Sequence, residues 1–214
     1  MTEDEAEGWL AKTFDVSRET QERLEAFIAF LRTEAQLQNL ISAATLDHIW
    51  ARHIVDSAQL LRFAPGDGDW LDLGSGAGFP GLIVPMLSDH RVVLLESRAK
   101  RIDFLERAIT MLGMEDVAVV AGMPLERLET APDSVISARA VAPLPRLLEL
   151  SYRFSTDNTL WLLPKGRNAA SELKDVRDRW NLDLTVEHSI TDSEAGILTG
   201  RVLGPRSQDQ AEGR

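Results

Sequence analysis

The chain has 214 residues, 44% of them hydrophobic, which suits one core domain with a small addition. Because it contains no cysteine, disulfide frameworks, thiolate zinc sites and every mechanism that needs a cysteine nucleophile are excluded. The formal net charge of −11 argues against a general nucleic-acid coat protein. With no apolar secretory leader and no run of about eighteen apolar residues, we expect a soluble, cytoplasmic protein, by default a monomer, that holds no metal.

The first part of the chain is predicted to be helical. Ser17 to Gln38 is an amphipathic stretch with Ser17 as its N-cap, and its apolar stripe consists of Leu24, Phe27, Ile28, Leu31 and Ala35. A second helix is predicted from Leu46 to Phe63. Turn residues at 65–68 then separate this helical extension, residues 1–66, from the rest of the chain.

From residue 67 the pattern alternates between strand and helix. The predicted strands are 70–73, 91–96, 117–120, 134–138 and 159–163, and the predicted helices are 79–88, 98–112, 143–153 and 169–180. Two more strand-like runs, 182–190 and 196–203, are typical of a closing antiparallel pair. This alternation predicts an α/β domain over 67–206, with a mostly parallel sheet covered by helices on both faces. The polar residues 207–214 are predicted to form a disordered tail.

The stretch from Leu71 to Gly81 is the clearest functional signal. An apolar strand end leads into Gly74, Gly76 and Gly78, which can adopt positive φ and let a nucleotide-sized ligand lie against the backbone. A helix predicted to begin near Phe79 would direct its free N–H groups at that ligand. The stretch therefore predicts a ligand-binding loop.

Two cofactors use such a loop. Residues 76–81 match the G-x-G-x-x-G pattern of dinucleotide sites. However, a carboxylate at Asp72 would repel a pyrophosphate, whereas it can meet the positively charged amino-acid end of S-adenosylmethionine. Glu96 ends the next strand about 20 residues further on, where an acid binds the ribose hydroxyls of either cofactor. Together these features favour S-adenosylmethionine.

The motifs at the strand ends resemble one family. In chain order they are Asn39-Leu40, Arg52-His53-x-x-Asp56-Ser57, the glycine loop, Glu96-Ser97-x-x-Lys100-Arg101-x-x-Phe104-Leu105, Ile136-Ser137-x-Arg139-Ala140 and Leu163-Pro164-Lys165-Gly166. In this order they resemble the bacterial 16S ribosomal RNA guanine-N7 methyltransferases, also called glucose-inhibited division protein B. The resemblance implies a Rossmann-like class I S-adenosylmethionine-dependent methyltransferase fold with a seven-stranded sheet.

The resemblance also implies an activity and a site. The activity is methyl transfer to N7 of guanine 527 in 16S ribosomal RNA, recognised within the small subunit or its precursor. Cofactor contacts are implied at Gly74, Phe79, Leu125, Glu126 and Arg139. For the RNA, the candidate residues are Arg52, His53, Lys100, Arg101, Arg139, Lys165 and Arg167. Solvated helix charges are an almost equally good interpretation of Lys100 and Arg101.

Guanine N7 is an unprotonated lone pair, so it can attack the sulfonium methyl directly. The enzyme then needs to hold nitrogen and methyl carbon in line, ~3–3.5 Å apart, and no residue is assigned as a general acid or base. Ser137-Ala138-Arg139-Ala140 stands where amino-group methylation would call for an Asn/Asp-Pro-Pro-aromatic loop. Three alternatives stay open: a small-molecule or protein methyltransferase on the same fold, a nicotinamide-dependent oxidoreductase, and a non-catalytic docking module.

Overall fold

A computed structural model describes residues 1–64, 66–129 and 134–206. Within these ranges one sheet contains seven strands: β1 (Asp67–Leu73), β2 (Asp89–Glu96), β3 (Ala118–Gly122), β4 (Val135–Ala138), β5 (Leu160–Lys165), β6 (Trp180–His188) and β7 (Gly196–Pro205). The tail that the sequence predicts to be disordered, 207–214, lies outside the described residues.

The strands follow the order β3-β2-β1-β4-β5-β7-β6 across the sheet. The first five are parallel, with β1 in the middle: Leu71 is paired with Val93 on one side and Ile136 on the other. β7 runs antiparallel between β5 and β6. The predicted mostly parallel sheet with a closing antiparallel pair is therefore confirmed.

Helices cover both faces of the sheet. They are α1 (Glu3–Thr13), α2 (Arg18–Glu34), α3 (Ala43–Leu46), α4 (Asp56–Ala58), α5 (Ile83–Leu87), α6 (Ala99–Leu112), α7 (Leu144–Ser151) and α8 (Ala169–Val176). Short 3-10 turns lie at Gln59–Arg62, Leu125–Arg127 and Tyr152–Phe154. No helix within 1–64, 66–129 or 134–206 is long and apolar enough to span a bilayer.

Alternate residues of β1 divide the core into two clusters. Trp70 joins a cluster that includes α2 and α6, whereas Leu71 and Leu73 join a cluster on the opposite face. Phe27 of α2 lies 5.6 Å from the ring of Phe79 in the glycine loop. The helical extension is thus part of the same core as the sheet domain, and it holds the loop from one side.

The helical extension differs from its prediction in two places. The sequence does not predict α1, although Thr2 and Glu5 form a capping box at its start. The predicted continuous helix from Leu46 to Phe63 is broken into α3, a π-helix (Trp50–Val55), α4 and a 3-10 turn. The carboxylate of Glu3 accepts the backbone N–H groups of Trp50 and Ala51 at 3.0 and 2.9 Å, so α1 caps the start of this π-helix.

The helix after the glycine loop also begins later than predicted. Residues 76–82 form consecutive turns, and α5 starts at Ile83 rather than near Phe79. Gly76 and Gly78, just before the predicted start, have positive φ of 58° and 85°, so the chain enters this segment through turns outside the right-handed helical region. The expectation that a helix N-terminus would face the ligand is therefore wrong, because α5 begins behind the loop with its N-cap buried.

Candidate active site

A cavity of about 880 Å³ opens at the carboxyl ends of β1, β4 and β5. This volume lies within the range of small-molecule and cofactor sites. Three parts of the chain close its sides: the helical extension at 40–56, the segment 139–143 after β4, and the connection between β6 and β7. Sequence-predicted residues that line it are Arg52, His53, Gly74, Gly76, Phe79, Arg101, Arg139 and Lys165.

The glycine loop presents its backbone to this cavity. Gly74 has φ 66° and Gly76 has φ 58°. A Cβ at Gly76 would make ordinary van der Waals contacts, at 3.6 Å with the guanidinium of Arg101 and at 3.7 Å with the carbonyl oxygen of Gly74. The backbone of Gly76 is thus uncrowded, and Arg101 is the side chain beside it. A Cβ at Gly74 would lie 2.7 Å from Val141, and one at Gly78 would lie 2.5 Å from Leu82. Gly78 therefore serves packing rather than the cavity.

The position of Asp72 in the sequence predicts a contact with the ligand. In the structure its side chain instead packs beneath the glycine loop, inside the core. Its side chain is 1% exposed. One carboxylate oxygen accepts the hydroxyl of Ser137 at 2.6 Å, and the other accepts the backbone N–H of Gly81 at 3.2 Å. Burial raises the pKa of Asp72 to about 6, against the lowering effect of these donors. The carboxylate thus ties the loop to β4.

Glu96 is also held by backbone N–H groups. Its Oε1 accepts those of Ser97 and Arg98 at 2.8 and 2.9 Å, and its Oε2 accepts that of Gly76 at 3.2 Å. Nη1 of Arg101 lies 3.6 Å from the same Oε2, on the cavity side. Glu96 is therefore fixed beside the glycine loop. It is 5% exposed and does not itself line the cavity, because Arg101 lies between them.

Arg139 joins the segment after β4 to the helical extension. Its guanidinium donates to the backbone carbonyl of Arg52 at 3.2 Å, to the carboxylate of Asp56 at 3.3 Å and to Nδ1 of His53 at 3.1 Å. It also lies 5.2 Å from the centre of the Phe79 ring, within cation–π distance. The next residue, Ala140, has φ 56°, a conformation that costs a non-glycine residue about 1 kcal/mol. This turn directs Arg139 and Val141 to different neighbours.

His53 is held as a neutral imidazole. Because Arg139 donates to Nδ1, the ring proton lies on Nε2, which is 2.9 Å from the hydroxyl of Thr45. Burial, followed by the charges of Arg139 and Arg52, lowers the pKa of His53 to about 3. The ring stacks on Phe79 with centroids 4.8 Å apart. His53 therefore orients Arg139 and Phe79 and has no free nitrogen to take a proton.

The other ionisable side chains in the described lining are paired as well. Arg52 contacts Asp192 at 3.1 Å, and Lys165 contacts Glu172 at 2.9 Å. Asp56 accepts the Thr191 hydroxyl at 2.9 Å in addition to Arg139. Within the described residues no group of three or more His, Cys, Asp and Glu side chains is arranged to hold a metal ion.

Beyond Asp72, Gly78 and Glu96, four further predicted site residues do not line the cavity. Glu126 is exposed on the 3-10 turn after β3, and the carbonyl of Leu125 accepts the side chain of Arg153 at 2.7 Å. Lys100 lines a neighbouring groove, and Arg167 is exposed and paired with Glu194 at 2.7 Å. The structure does not bring these four side chains together with the glycine loop.

Sequence reasoning also missed parts of the lining. Asp56 stands in the motif that begins at Arg52, so its spacing could have identified it. By contrast, Thr191 and Asp192 come from the connection between β6 and β7, where the sequence carries no recognisable motif. Glu172 accepts the backbone N–H of Leu144 at 3.0 Å, a contact between two helices that no local pattern indicates.

The cavity is suited to a ribose-containing ligand. The backbone of Gly76 lines the cavity and adjoins the fixed carboxylate of Glu96, at the strand ends where parallel sheets bind ligands. With the antiparallel β7 beside β5, this defines the class I S-adenosylmethionine-dependent methyltransferases.

Comparison with known proteins identifies the family. The model of the family described as rRNA small subunit methyltransferase G (GidB) matches residues 20–199. Ribosomal RNA small subunit methyltransferase G of Rhizorhabdus wittichii is 52% identical over 213 residues, covering 98% of this chain and 97% of the relative. The protein of the same name from Zymomonas mobilis is 45% identical over 217 residues, covering 97% of each chain. The chain belongs to this family, and its cofactor is S-adenosylmethionine.

Solved structures show the same fold at low identity. An RNA methyltransferase from Salinibacter ruber, in complex with S-adenosyl-L-homocysteine, has a TM-score of 0.55 at 16% identity, covering 73% of this chain and 95% of that chain. Ribosomal protein L11 methylase from Lactobacillus delbrueckii subsp. bulgaricus has a TM-score of 0.54 at 14% identity, covering 69% and 77%. These similarities support the predicted class I fold.

Proposed function

We propose that the protein transfers the methyl group of S-adenosylmethionine to N7 of a guanine in 16S ribosomal RNA, at the family's site, guanine 527. The acceptor is the RNA within the small subunit or its precursor, and the enzyme acts as a monomer. Membership of the small-subunit ribosomal RNA methyltransferase family supports the substrate class.

One observation carries the choice of atom. His53 has both ring nitrogens engaged, and the carboxylates of Asp56, Glu172 and Asp192 are each paired with a cation. Among the described residues that line the cavity, none of these four side chains is left as a free base. Guanine N7 has no proton to lose, whereas N1 and the exocyclic amine do. In-line placement of N7 and the methyl group is then sufficient, and it can lower the barrier by several kcal/mol.

The residues divide into two groups in this proposal. Gly74, Gly76 and Phe79 form the cofactor side, and Glu96 binds the ribose hydroxyls. Arg139 orients the segment after β4 through His53 and Asp56. Arg52, Arg101 and Lys165, which line the cavity, supply positive charge for RNA phosphates, together with Lys100 and Arg167, which lie outside it. The base enters as an exposed or flipped nucleotide, since the major groove of an RNA helix is too narrow to admit the protein.

The test is methyl transfer from labelled S-adenosylmethionine to small subunits that lack the modification. Borohydride and aniline, which cleave at N7-methylguanine, would be followed by primer extension. We expect one new stop in the small-subunit RNA, at guanine 527. Subunits that already carry the modification are the matched control and should accept no methyl group. Incorporation at another atom, or none despite measured cofactor binding, would contradict the proposal and favour a small-molecule acceptor.

A further inference from the structure

The guanidinium of Arg101 separates two cavities. Arg101 lies in the first turn of α6 and lines both the active-site cavity and a neighbouring groove of about 540 Å³. The groove runs between residues 35–39, after α2, and Arg98 and Lys100 at the start of α6. The side chain of Arg101 is 26% exposed, and it borders both spaces.

Both polar contacts of Arg101 are long. Its Nη1 is 3.6 Å from Oε2 of Glu96, and its Nη2 is 3.5 Å from the carbonyl oxygen of Asn39. Ordinary charge-assisted hydrogen bonds are about 2.7–2.9 Å. Arg107, on the same helix, contacts both carboxylate oxygens of Glu34 at 2.9 and 2.8 Å. Arg107 is therefore locked in place, whereas Arg101 is held loosely.

The contact with Glu96 is at the place where the proposed function puts the ribose of the cofactor. Three backbone N–H groups fix the Glu96 carboxylate from behind. Arg101 stands on the remaining side, towards the cavity, and its Nη1 lies 3.6 Å from the position of a Cβ on Gly76. Ribose hydroxyls that approach Glu96 along Gly76 would therefore meet the guanidinium first.

We propose that Arg101 is a positioning residue that couples cofactor binding to RNA binding. In the free protein it lies in front of Glu96. When the ribose hydroxyls of the cofactor form hydrogen bonds with the Glu96 carboxylate, the guanidinium turns into the groove beside Arg98 and Lys100. There it binds an RNA phosphate. The inference rests on the proposed function, because it takes ribosomal RNA as the second ligand.

Coupling of this kind is reciprocal, so the cofactor raises the affinity for RNA by the same factor as RNA raises the affinity for the cofactor. We expect a factor of about 5 to 10, near the lower end of what such couplings reach. In the absence of RNA, Arg101 opposes the cofactor, since its guanidinium competes with the ribose hydroxyls for Glu96. Its removal should therefore weaken binding of the RNA without weakening binding of the cofactor.

The test measures binding of unmodified small subunits with and without S-adenosylhomocysteine, and binding of S-adenosylhomocysteine alone by titration calorimetry. For the natural chain the cofactor product should tighten subunit binding about 5- to 10-fold. Arg101→Gln should bind the cofactor product equally well or more tightly, bind subunits more weakly and lose the coupling. Lys100→Gln removes the same charge from the groove without a contact to Glu96, so it should weaken subunit binding but keep the coupling.

Two results would overturn the inference. If Arg101→Gln binds S-adenosylhomocysteine several-fold more weakly, Arg101 holds the cofactor directly. If the variant keeps the natural coupling between cofactor and RNA, the guanidinium of Arg101 does not move from Glu96 to an RNA phosphate. Methyl transfer by the natural chain to the same subunits is measured in parallel. If methyl transfer occurs but the cofactor does not affect RNA binding, only the role of Arg101 is rejected. If the cofactor and the subunits bind but no methyl group is transferred, the proposed function is rejected.

Discussion

Arg139 lines the cavity, but its guanidinium forms its hydrogen bonds with other residues of the protein. A lysine at this position keeps the charge but has a single ammonium in place of the fork that reaches Arg52, Asp56 and His53. Because small misplacements in an active site are costly, Arg139→Lys should lower kcat for methyl transfer roughly 100-fold. Single-turnover assays on unmodified subunits would measure this.

Arg146→Lys is the matched control for that substitution. Arg146 lies on α7, and its side chain is 58% exposed and contacts only Glu149 among the described residues, at 3.6 Å. We expect this variant to keep its natural rate. A kcat for Arg139→Lys within about twofold of the natural value would show that the network does not position the reacting groups.

The imidazole of His53 should make the fold sensitive to acid. The pKa of His53 is about 3 when folded, against 6.5 for an ordinary histidine, so the unfolded chain binds more protons between these values. Stability is therefore lost as the pH falls below 6.5. From pH ~7.5 to ~5 the loss from this residue should be about 2 kcal/mol.

Urea unfolding of the natural chain and His53→Gln would isolate this contribution. Glutamine can still accept from Arg139 and donate to Thr45, but it does not titrate. The variant should lose about 2 kcal/mol less stability than the natural chain over the same pH interval. The raised pKa of Asp72 acts in the opposite direction, favouring the folded state as the pH falls below about 6, and it cancels in the comparison because both chains contain Asp72. Equal losses in the two chains would contradict the neutral state of His53.

At the residue level, the sequence locates the cavity but not the direction of each side chain. Gly76, Phe79, His53 and Arg139 are predicted as site residues and line it. Asp72 is predicted to meet the cofactor, yet it points into the core. The direction of the Asp72 side chain is set by its hydrogen bond with Ser137, which is 65 residues further along the chain. A contact between such distant residues leaves no pattern in the local sequence.

At the level of elements, the glycine loop depends on a close contact with the segment after β4. Gly74→Ala would combine a left-handed backbone with a Cβ 2.7 Å from Val141. We expect it to weaken S-adenosylhomocysteine binding at least 10-fold and to destabilise the fold by about 2 kcal/mol, of which about 1 is the backbone term. Calorimetric titration and urea unfolding would measure the two effects.

Gly113→Ala is the control for the backbone term. Gly113 ends α6 with φ 60°, close to the 66° of Gly74, but a Cβ added to it would meet no atom within 4 Å. The control should lose about 1 kcal/mol and keep its affinity for S-adenosylhomocysteine. Adding Val141→Ala to Gly74→Ala should restore part of the binding. No restoration would show that the contact with Val141 is unimportant.

Elements are predicted well where one local signal decides them. Strands β1 and β2 follow apolar runs, and α6 follows an apolar stripe that ends at Gly113. The stretch from Leu46 to Phe63 is predicted as one helix because its apolar spacing is nearly helical. Its actual breaks depend on Glu3, which caps Trp50 and Ala51 from a distant helix. Tertiary contacts of this kind override local pattern.

At the level of the whole molecule, a net charge of −11 must coexist with a polyanionic substrate. The two signs are separated along the chain. Acids dominate α1 and the start of α2, whereas Arg98, Lys100 and Arg101 lie together beside the active-site cavity. This separation permits an acidic protein to bind RNA through a local basic surface.

Salt dependence of subunit binding tests this separation. If the basic surface contacts phosphates, log affinity falls linearly with log salt, and each contact removed reduces the slope by about 1. We therefore expect Lys100→Gln to lower the slope by about 1 between roughly 50 and 200 mM salt. Arg18→Gln removes an equal charge from α2, where Arg18 is exposed and paired with Glu22, and should leave the slope unchanged. Equal changes in both variants would mean that RNA senses only the net charge, and a local basic surface would then be excluded.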